Sequence, residues 1–317
     1  MNHHKTHLPR IFVAGSNGFI GSILCKYLSS QGYFVYGADQ YNTVKEKAFW
    51  CLDLVKVEEI SQLLKQCSPD YIFHVTGLVG SEDENALNHA HVETTRALLL
   101  ATYAASPLAK ILVLGSAAEY GCNHDGSPIR EGSATYPDSP YGRSKLAQSK
   151  LALQLSRELQ LDVIRVRLFN SMGPGQGPML VAGAMVKRLY KSLIEKTEFF
   201  DVYDPFSVRD FLDVRDIVRL LWFVARDLEK NCEREPIHIA TGEGVSIVDL
   251  ARRLFEIAEI GNRLKLKLIP SPMSTHLVGE PTTLIKKCGT GQIKRISIFE
   301  SLKDMWQWEV SQQNENS

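Results

Sequence analysis

The chain has 317 residues, of which 36 are Lys or Arg and 36 are Asp or Glu, so its formal net charge is zero; this excludes a surface built as a whole for nucleic acid or anionic lipid and leaves any anion site a local one. Hydrophobic residues make up 44% of the chain, enough for one large two-part domain or two compact ones. No apolar run approaches the roughly 20 residues of a membrane helix, which argues against a membrane partner.

In the first half, short β-branched runs alternate with longer helical patterns. Strands are predicted at Arg10–Ala14, Phe34–Gly37, Tyr71–His74, Lys110–Leu114 and Asp162–Leu168, with helices at about 19–31, 56–67, 84–105 and 142–160. That order predicts an α/β fold: a doubly wound parallel sheet, covered on both faces, with its ligand crevice at the C-terminal strand ends. The rhythm breaks at the loop-like "FNSMGPGQGPM". A helix at about 180–195 and a strand near 199–203 follow, and "VRDFLDVRDIVRLLWFVARDL" reads as a short strand or turn and an amphipathic helix. Beyond it the pattern predicts a strand at Pro236–Ala240, a helix at Ser246–Ala258, a strand at Leu264–Ile269 and a last helix near 297–307. The polar ends, "MNHHKTH" and "SQQNENS", are expected to fray, and the histidines of the first are given neither function nor metal. Cys25, Cys51, Cys67, Cys122, Cys232 and Cys288 show no CxxC pairing, and the N-terminus has no apolar signal stretch, so reduced thiols in a cytoplasm are expected.

"FVAGSNGFIGSILCKYL" places Gly15, Gly18 and Gly21 after the first strand and at the opening of the first helix. Glycines there allow a tight turn and close backbone approach, so that the helix N-terminus can hold a pyrophosphate; the plainer alternative is helix–strand packing alone. Asp39, 18 residues beyond Gly21, ends the second strand, where a carboxylate can accept from both ribose hydroxyls. It would repel a 2′-phosphate, and no arginine stands beside it in "GADQYN", so the cofactor reading is NAD rather than NADP. Asp53 can bond an adenine amine or simply serve as a cap or turn aspartate.

"SPYGRSKLAQSK" sets Tyr141 and Lys145 four residues apart at the start of a helix, on one face. A phenol of pKa about 10 is a poor acid or base at neutral pH; a nearby ammonium stabilises the phenolate and makes it usable. Ser116, in "LGSAAEYG" at the end of the fourth strand, can hydrogen-bond the carbonyl oxygen that Tyr141 protonates. Together with the glycine loop, the three describe hydride transfer at a carbonyl or carbinol carbon.

The glycine pattern, the 25-residue spacing from Ser116 to Tyr141 and the Tyr-x-x-x-Lys pair resemble the extended short-chain dehydrogenase/reductases, the NAD-dependent epimerase/dehydratase family. The resemblance implies a Rossmann domain over 8–169, with 207–230 returning to it. It also implies a smaller C-terminal α/β domain for a nucleotide-diphosphate sugar over 170–206 and 231–310, a polar tail at 311–317, and a homodimer through the helices near 84–105 and 142–160. Cofactor contacts are implied at Gly15, Gly18, Phe19, Ile20, Gly21, Asp39, Asp53, Leu54, Val75, Thr76, Gly77, Tyr141 and Lys145. Substrate contacts are implied at Ser116, Asn170 and Arg209, the last as a pyrophosphate fork or, alternatively, as a surface salt bridge to Asp210 or Asp213.

Family members that eliminate water carry an acid and a glutamate, or a serine and a glutamate, directly after the hydroxyl residue, where this chain has Ala117 and Ala118; Glu119 comes one residue late. "GSAAEYG", "RLFNSMGPGQ" and "RDFLDVRDIVRLLW" are most similar to the GDP-4-dehydro-6-deoxy-D-mannose reductases and related 4-ketoreductases of nucleotide sugars. "HVTGLVG" and Asp39 resemble instead the 4-epimerases that retain NAD, and His91 replaces a common asparagine. Reduction of a 4-keto sugar is thus the first reading, 4-epimerisation the second, and a non-catalytic NAD-binding subunit the third.

Overall fold

The computed structural model describes residues 8–41, 48–123, 125–227 and 235–315. The N-terminal histidines, Asn42 of "GADQYN", Cys232, and parts of the anticipated 207–230 return and of the polar tail lie outside the described residues. The chain divides into two compact units: Met1–Gly115 with Arg143–Val166 and Leu221–Pro236, and Ser116–Gly142 with Arg167–Leu220 and Ile237–Ser317.

The first unit follows the strand–helix alternation: β1 (Arg10–Ala14), α1 (Phe19–Ser30), β2 (Phe34–Asp39), β3 (Phe49–Cys51), α2 (Val57–Cys67), β4 (Tyr71–His74), α3 (Glu84–Asn88), α4 (Thr94–Ala105), β5 (Lys110–Ser116), α5 (Pro140–Glu158) and β6 (Asp162–Leu168). The strands lie in the order β3-β2-β1-β4-β5-β6. β1 pairs in parallel with β2 and β4, β2 with β3, and β4 with β5. Two-residue alternation sorts the side chains by face. Phe12, Ala14, Ile72, Ile111, Val113 and Val163 pack in one buried cluster with Ile60 and Leu64 of α2, Ala97 and Ala101 of α4, and Ala152 and Leu155 of α5. Ile11, Val13, Phe73 and Leu112 alternate with them along the strands and are equally buried. Beside Phe73, Trp222 packs against Tyr33 and Tyr71 at centroid distances of 4.8 and 5.0 Å. Burial of each of these Val, Ile, Leu and Phe side chains contributes about 1.5–3 kcal/mol.

The helices obey simple rules. α2 buries Ile60, Leu63, Leu64 and Cys67 on one face, carries Glu58 and Glu59 in its first turn and Lys65 in its last, and stops at Ser68 with a left-handed φ of 43°. The stretch anticipated as one helix over 84–105 is interrupted by a π turn at His89–Glu93, which carries the fully buried His91.

The second unit contains a 3₁₀ turn at Ala117–Tyr120 followed by β7 (Asn170–Met172), α6 (Val181–Ile194), β8 (Phe199–Tyr203), β9 (Val208–Asp213), α7 (Val214–Asp227, whose residues from Leu221 belong to the first unit), β10 (Ile237–Ile239), β11 (Gly244–Ser246), α8 (Ile247–Ile257), β12 (Lys265–Ile269), β13 (His276–Leu277), α9 (Thr282–Cys288) and α10 (Ile298–Glu315). β9 is its organising strand, antiparallel to β11 and parallel to β7 and β13, while β8 pairs with β12. Phe200, Phe211, Leu250, Leu254, Leu302 and Met305 form the core. α10 runs past Ser311, where fraying was anticipated; Gln313 donates to Glu309 one turn earlier at 3.2 Å, a bond that supports polar residues in helix.

Candidate active site

β1 ends in a glycine loop whose residues are fixed by close packing. Gly15 has φ 89°, and a Cβ there would lie 2.7 Å from the Thr76 backbone nitrogen; a Cβ on Gly21 would lie 1.9 Å from the Gly15 oxygen. Helix–strand packing alone therefore requires glycine at both positions. Gly18 is different: it is exposed, a Cβ would meet only the Gly15 oxygen at 3.4 Å, and it begins α1 with no side-chain cap. Phe19 and Ile20 thus open a helix whose N-cap supplies no side-chain hydrogen bond to its first amides. Asp39 closes β2 and accepts from the backbone N–H of Asn17 at 2.9 Å and of Gln40 at 2.8 Å, so its carboxylate also braces the loop.

Val75 continues β4 by donating to Ala14 at 3.0 Å, Thr76 backs Gly15, and a Cβ on Gly77 would lie 3.5 Å from His91 Nε2. Asp53 accepts from Val55 at 3.4 Å and sits 3.5 Å from His89, a turn aspartate, and Leu54 is buried in the core at 3% exposure. An uncapped helix start, glycines where side chains would intrude and a carboxylate at the end of β2 fit an adenine dinucleotide.

The same unit holds Lys145 on α5, buried, with Nζ donating to the Leu114 carbonyl at 2.6 Å and to Gln148 Oε1. His91 ties the loop after β4 to that helix: Nε2 accepts from Leu78 N–H at 3.1 Å, and Nδ1 lies 2.8 Å from Ser144 Oγ. Because Nε2 accepts, Nδ1 carries the proton and donates to Ser144. Burial, with the Lys145 charge nearby, drives the His91 pKa down to about 2 and keeps the ring neutral.

In the second unit, Ser116 and Tyr141 share a side-chain hydrogen bond. Burial raises the Tyr141 pKa above its ordinary value, the Ser116 bond opposes the rise, and the Glu119 charge adds to it. The Ser116 hydroxyl accepts from Ala118 N–H at 3.2 Å, and its backbone N–H donates to Glu119 at 3.0 Å, so the 3₁₀ turn pins the serine at both ends. Glu119, one residue late for elimination chemistry, stands in the 3₁₀ turn and not on a strand end. It is paired there with Arg167 at 2.8 Å with exposures of 0% and 6%. The Arg167 guanidinium lies 4.4 Å from the Tyr120 ring centroid, and the Tyr120 hydroxyl meets His238 Nε2 at 2.6 Å.

Asn170 on β7 donates to the Asp210 carbonyl at 3.2 Å. Arg209 donates to the carbonyls of Val208 at 3.0 Å and Thr275 at 3.1 Å and lies 3.9 Å from Asp204. Neither Asp210 nor Asp213 pairs with it. Asp210 is the next residue of a strand, so its carboxylate points to the other face and binds Thr241 and Gly242, while Asp213 binds Arg215. Among the described residues no group of His, Cys, Asp and Glu could hold a metal, and no helix is long and apolar enough to cross a membrane.

Sequence reasoning missed Thr95, Gln148 and the Glu119–Arg167 pair. A signal for the last was present: "DVIRVRL" puts arginine inside a strand read as buried, and a buried guanidinium demands a buried carboxylate.

Two curated relatives align along nearly the whole chain. GDP-6-deoxy-D-talose 4-dehydrogenase of Aggregatibacter actinomycetemcomitans is 26% identical over 303 residues, 94% of this chain and 97% of the relative. dTDP-6-deoxy-L-talose 4-dehydrogenase (NAD(P)(+)) of Kitasatospora kifunensis is 24% identical over 305 residues, 94% of each. Among solved structures, UDP-glucose 4-epimerase of Thermus thermophilus in complex with NAD superposes with a TM-score of 0.80 at 22% identity, over 94% of this chain and 98% of that one, a likeness of fold. The model of the NAD dependent epimerase/dehydratase family matches residues 11–240, and with the nucleotide loop, the parallel sheet and the Ser-Tyr-Lys set it places this chain in that NAD-dependent family.

Proposed function

We propose that the protein interconverts a 4-keto group and a 4-hydroxyl on a nucleotide-diphosphate 6-deoxyhexose, with reduction of the 4-keto sugar as the forward reaction. The observation that carries this reading is the Ser116–Tyr141 hydrogen bond, flanked by Ala117 and Ala118 and by a Glu119 already bound to Arg167. Elimination of water from a hexose needs a base at carbon 5 and an acid for the departing hydroxyl. No such pair stands beside Ser116 in the turn. Two relatives named for oxidation at carbon 4 of a 6-deoxytalose, the reverse direction, support the same reaction.

NAD, held by the glycine loop and Asp39, supplies the hydride when bound. Ser116 holds the substrate oxygen. Tyr141 gives that oxygen its proton as the carbonyl becomes a carbinol and takes it back in the reverse direction. The phenol is protonated at neutral pH as any tyrosine is, and burial raises its pKa further, so the residue is already loaded for reduction. Lys145, one turn along α5, stabilises the phenolate that is left behind. Asn170 and Arg209 are proposed to hold the sugar nucleotide, Arg209 at its pyrophosphate. The homodimer through the helices of 84–105 and 142–160, and a reducing cytoplasm suited to the described cysteines, which form no disulfide with one another, belong to the same proposal.

A second reading, 4-epimerisation with retained NAD, is favoured by Asp39 and by the likeness to a 4-epimerase. A panel of GDP-, dTDP- and UDP-linked 4-keto-6-deoxyhexoses assayed with NADH and NADPH separates the two. Stoichiometric loss of NADH absorbance supports reduction. Interconversion of two sugar nucleotides without net cofactor change supports epimerisation, and no turnover of either kind overturns both.

A further inference from the structure

Thr95 lies where three side chains meet that the proposed reaction leaves unused. Its hydroxyl lies 2.6 Å from the His91 carbonyl and donates to it, and a hydroxyl has one proton to give. Its other partners must therefore donate to it: the Gln148 amide through Nε2 at 3.0 Å, and the His74 ring through Nε2 at 2.7 Å. This fixes the Gln148 oxygen toward Lys145 Nζ, which donates to it. It also fixes His74 as the Nε2–H tautomer, with Nδ1 accepting from Thr76 Oγ1 at 3.1 Å. Thr95, His74, Gln148 and Lys145 are 0%, 1%, 1% and 3% exposed, so water does not replace a lost partner. The direction of the bonds also matters. Lys145 donates to Gln148, Gln148 to Thr95, and Thr95 to a backbone carbonyl that has no proton to pass on, so the chain is a brace and not a proton relay.

We propose that Gln148 is a positioning residue for Lys145, held in place by Thr95 and the neutral His74 ring, so that the ammonium keeps one direction. The proposal rests on the role given to Lys145 above. The titratable groups that the Lys145 charge reaches include His74 from β4 and His91 from the π turn, both kept neutral by burial, at about 3 and about 2.

The test is the ¹³Cε NMR titration of Lys145 in the full-length protein with NAD added, the signal assigned with Lys145→Arg. Gln148→Leu removes an acceptor and lowers the Lys145 midpoint by about one pH unit, whereas Gln148→Glu raises it. Thr95→Val moves it in the same direction as Gln148→Leu, and Thr95→Ser restores the wild-type value. Wild-type midpoints in all four variants overturn the proposal, as does a Thr95→Val shift that Thr95→Ser fails to restore. In turnover, Gln148→Leu lowers kcat about tenfold with KM for the sugar nucleotide within about twofold. If the wild-type protein turns over no sugar nucleotide, the reaction reading has failed while the NMR midpoints still decide the role of Gln148.

Discussion

Glu119 and Arg167 meet at 2.8 Å almost without solvent exposure, and the same carboxylate accepts from the Ser116 backbone N–H at 3.0 Å. Removing one partner leaves the other charge buried without compensation, at a cost of about 3–5 kcal/mol. Glu119→Gln and Arg167→Met are each expected to destabilise by that order, and the double variant by clearly less than the sum. Urea unfolding of the four proteins in a double-mutant cycle measures this. Additive losses would mean that the pair is not coupled.

Acid should unfold this protein through its buried histidines. His74, His91 and His238 are pushed down to about 3, about 2 and about 3, mainly by burial, from an ordinary value of 6.5. The unfolded chain binds protons below 6.5 that the folded chain refuses, so this contribution is neutral above 6.5 and stability falls as pH drops toward the folded values. Each such histidine contributes a slope of about 1.4 kcal/mol per pH unit in that window. His91→Asn keeps an acceptor for Leu78 and a donor for Ser144 but takes up no proton. Its Tm should fall less steeply than that of wild type as pH drops from 6.5 toward about 2, and parallel curves would show that His91 does not titrate in the unfolding reaction.

Much of this architecture was legible in the sequence because the signals are local. β1, β4 and β6 were anticipated at their observed bounds, since each is a short run rich in β-branched or aromatic residues. The short strands β3, β11 and β13 were not, because two or three residues carry no periodicity and owe their conformation to partners far along the chain. The π turn at His89–Glu93 escaped notice for a related reason: one extra residue in a helix leaves the surrounding apolar pattern readable as continuous. At the site, Gly15, Gly21, Ser116, Tyr141 and Lys145 stood out by spacing. Gln148 and Thr95 did not, because their meaning is a set of directed bonds across 53 residues. Of the alternative partners given to Arg209, Asp210 failed on strand geometry, since adjacent residues in a strand face opposite ways, and Asp213 because Arg215 holds it.

The glycine loop yields a sharp contrast. Gly21→Ala places a Cβ 1.9 Å from the Gly15 oxygen, whereas Gly177→Ala meets nothing within 4 Å. Fluorescence titration with NADH should show at least tenfold weaker binding and a lowered Tm for Gly21→Ala, with Gly177→Ala unchanged in both. Equal behaviour of the two variants would remove the loop from the nucleotide site.

Tyr141→Phe removes the proton donor and should lower kcat by about 10²–10⁴ with a near-native Tm. Because burial raises the Tyr141 pKa, the phenolate needed for oxidation is scarce at neutral pH. The oxidation rate should therefore climb with pH through the alkaline range toward the ordinary tyrosine value of about 10, while reduction holds steady and then falls. Steady-state rates in both directions across pH check the sign, and an oxidation rate that falls with rising pH would rule out Tyr141 as the base.

The central claim is hydride delivery to one carbon of the sugar, and isotope transfer reads it directly. The protein is incubated with NADH carrying deuterium at carbon 4 of the nicotinamide and with a nucleotide-linked 4-keto-6-deoxyhexose, and the product is examined by NMR. The account predicts deuterium at carbon 4 of the hexose, one per NADH consumed. Conversion of a sugar nucleotide with no deuterium at that carbon would contradict it.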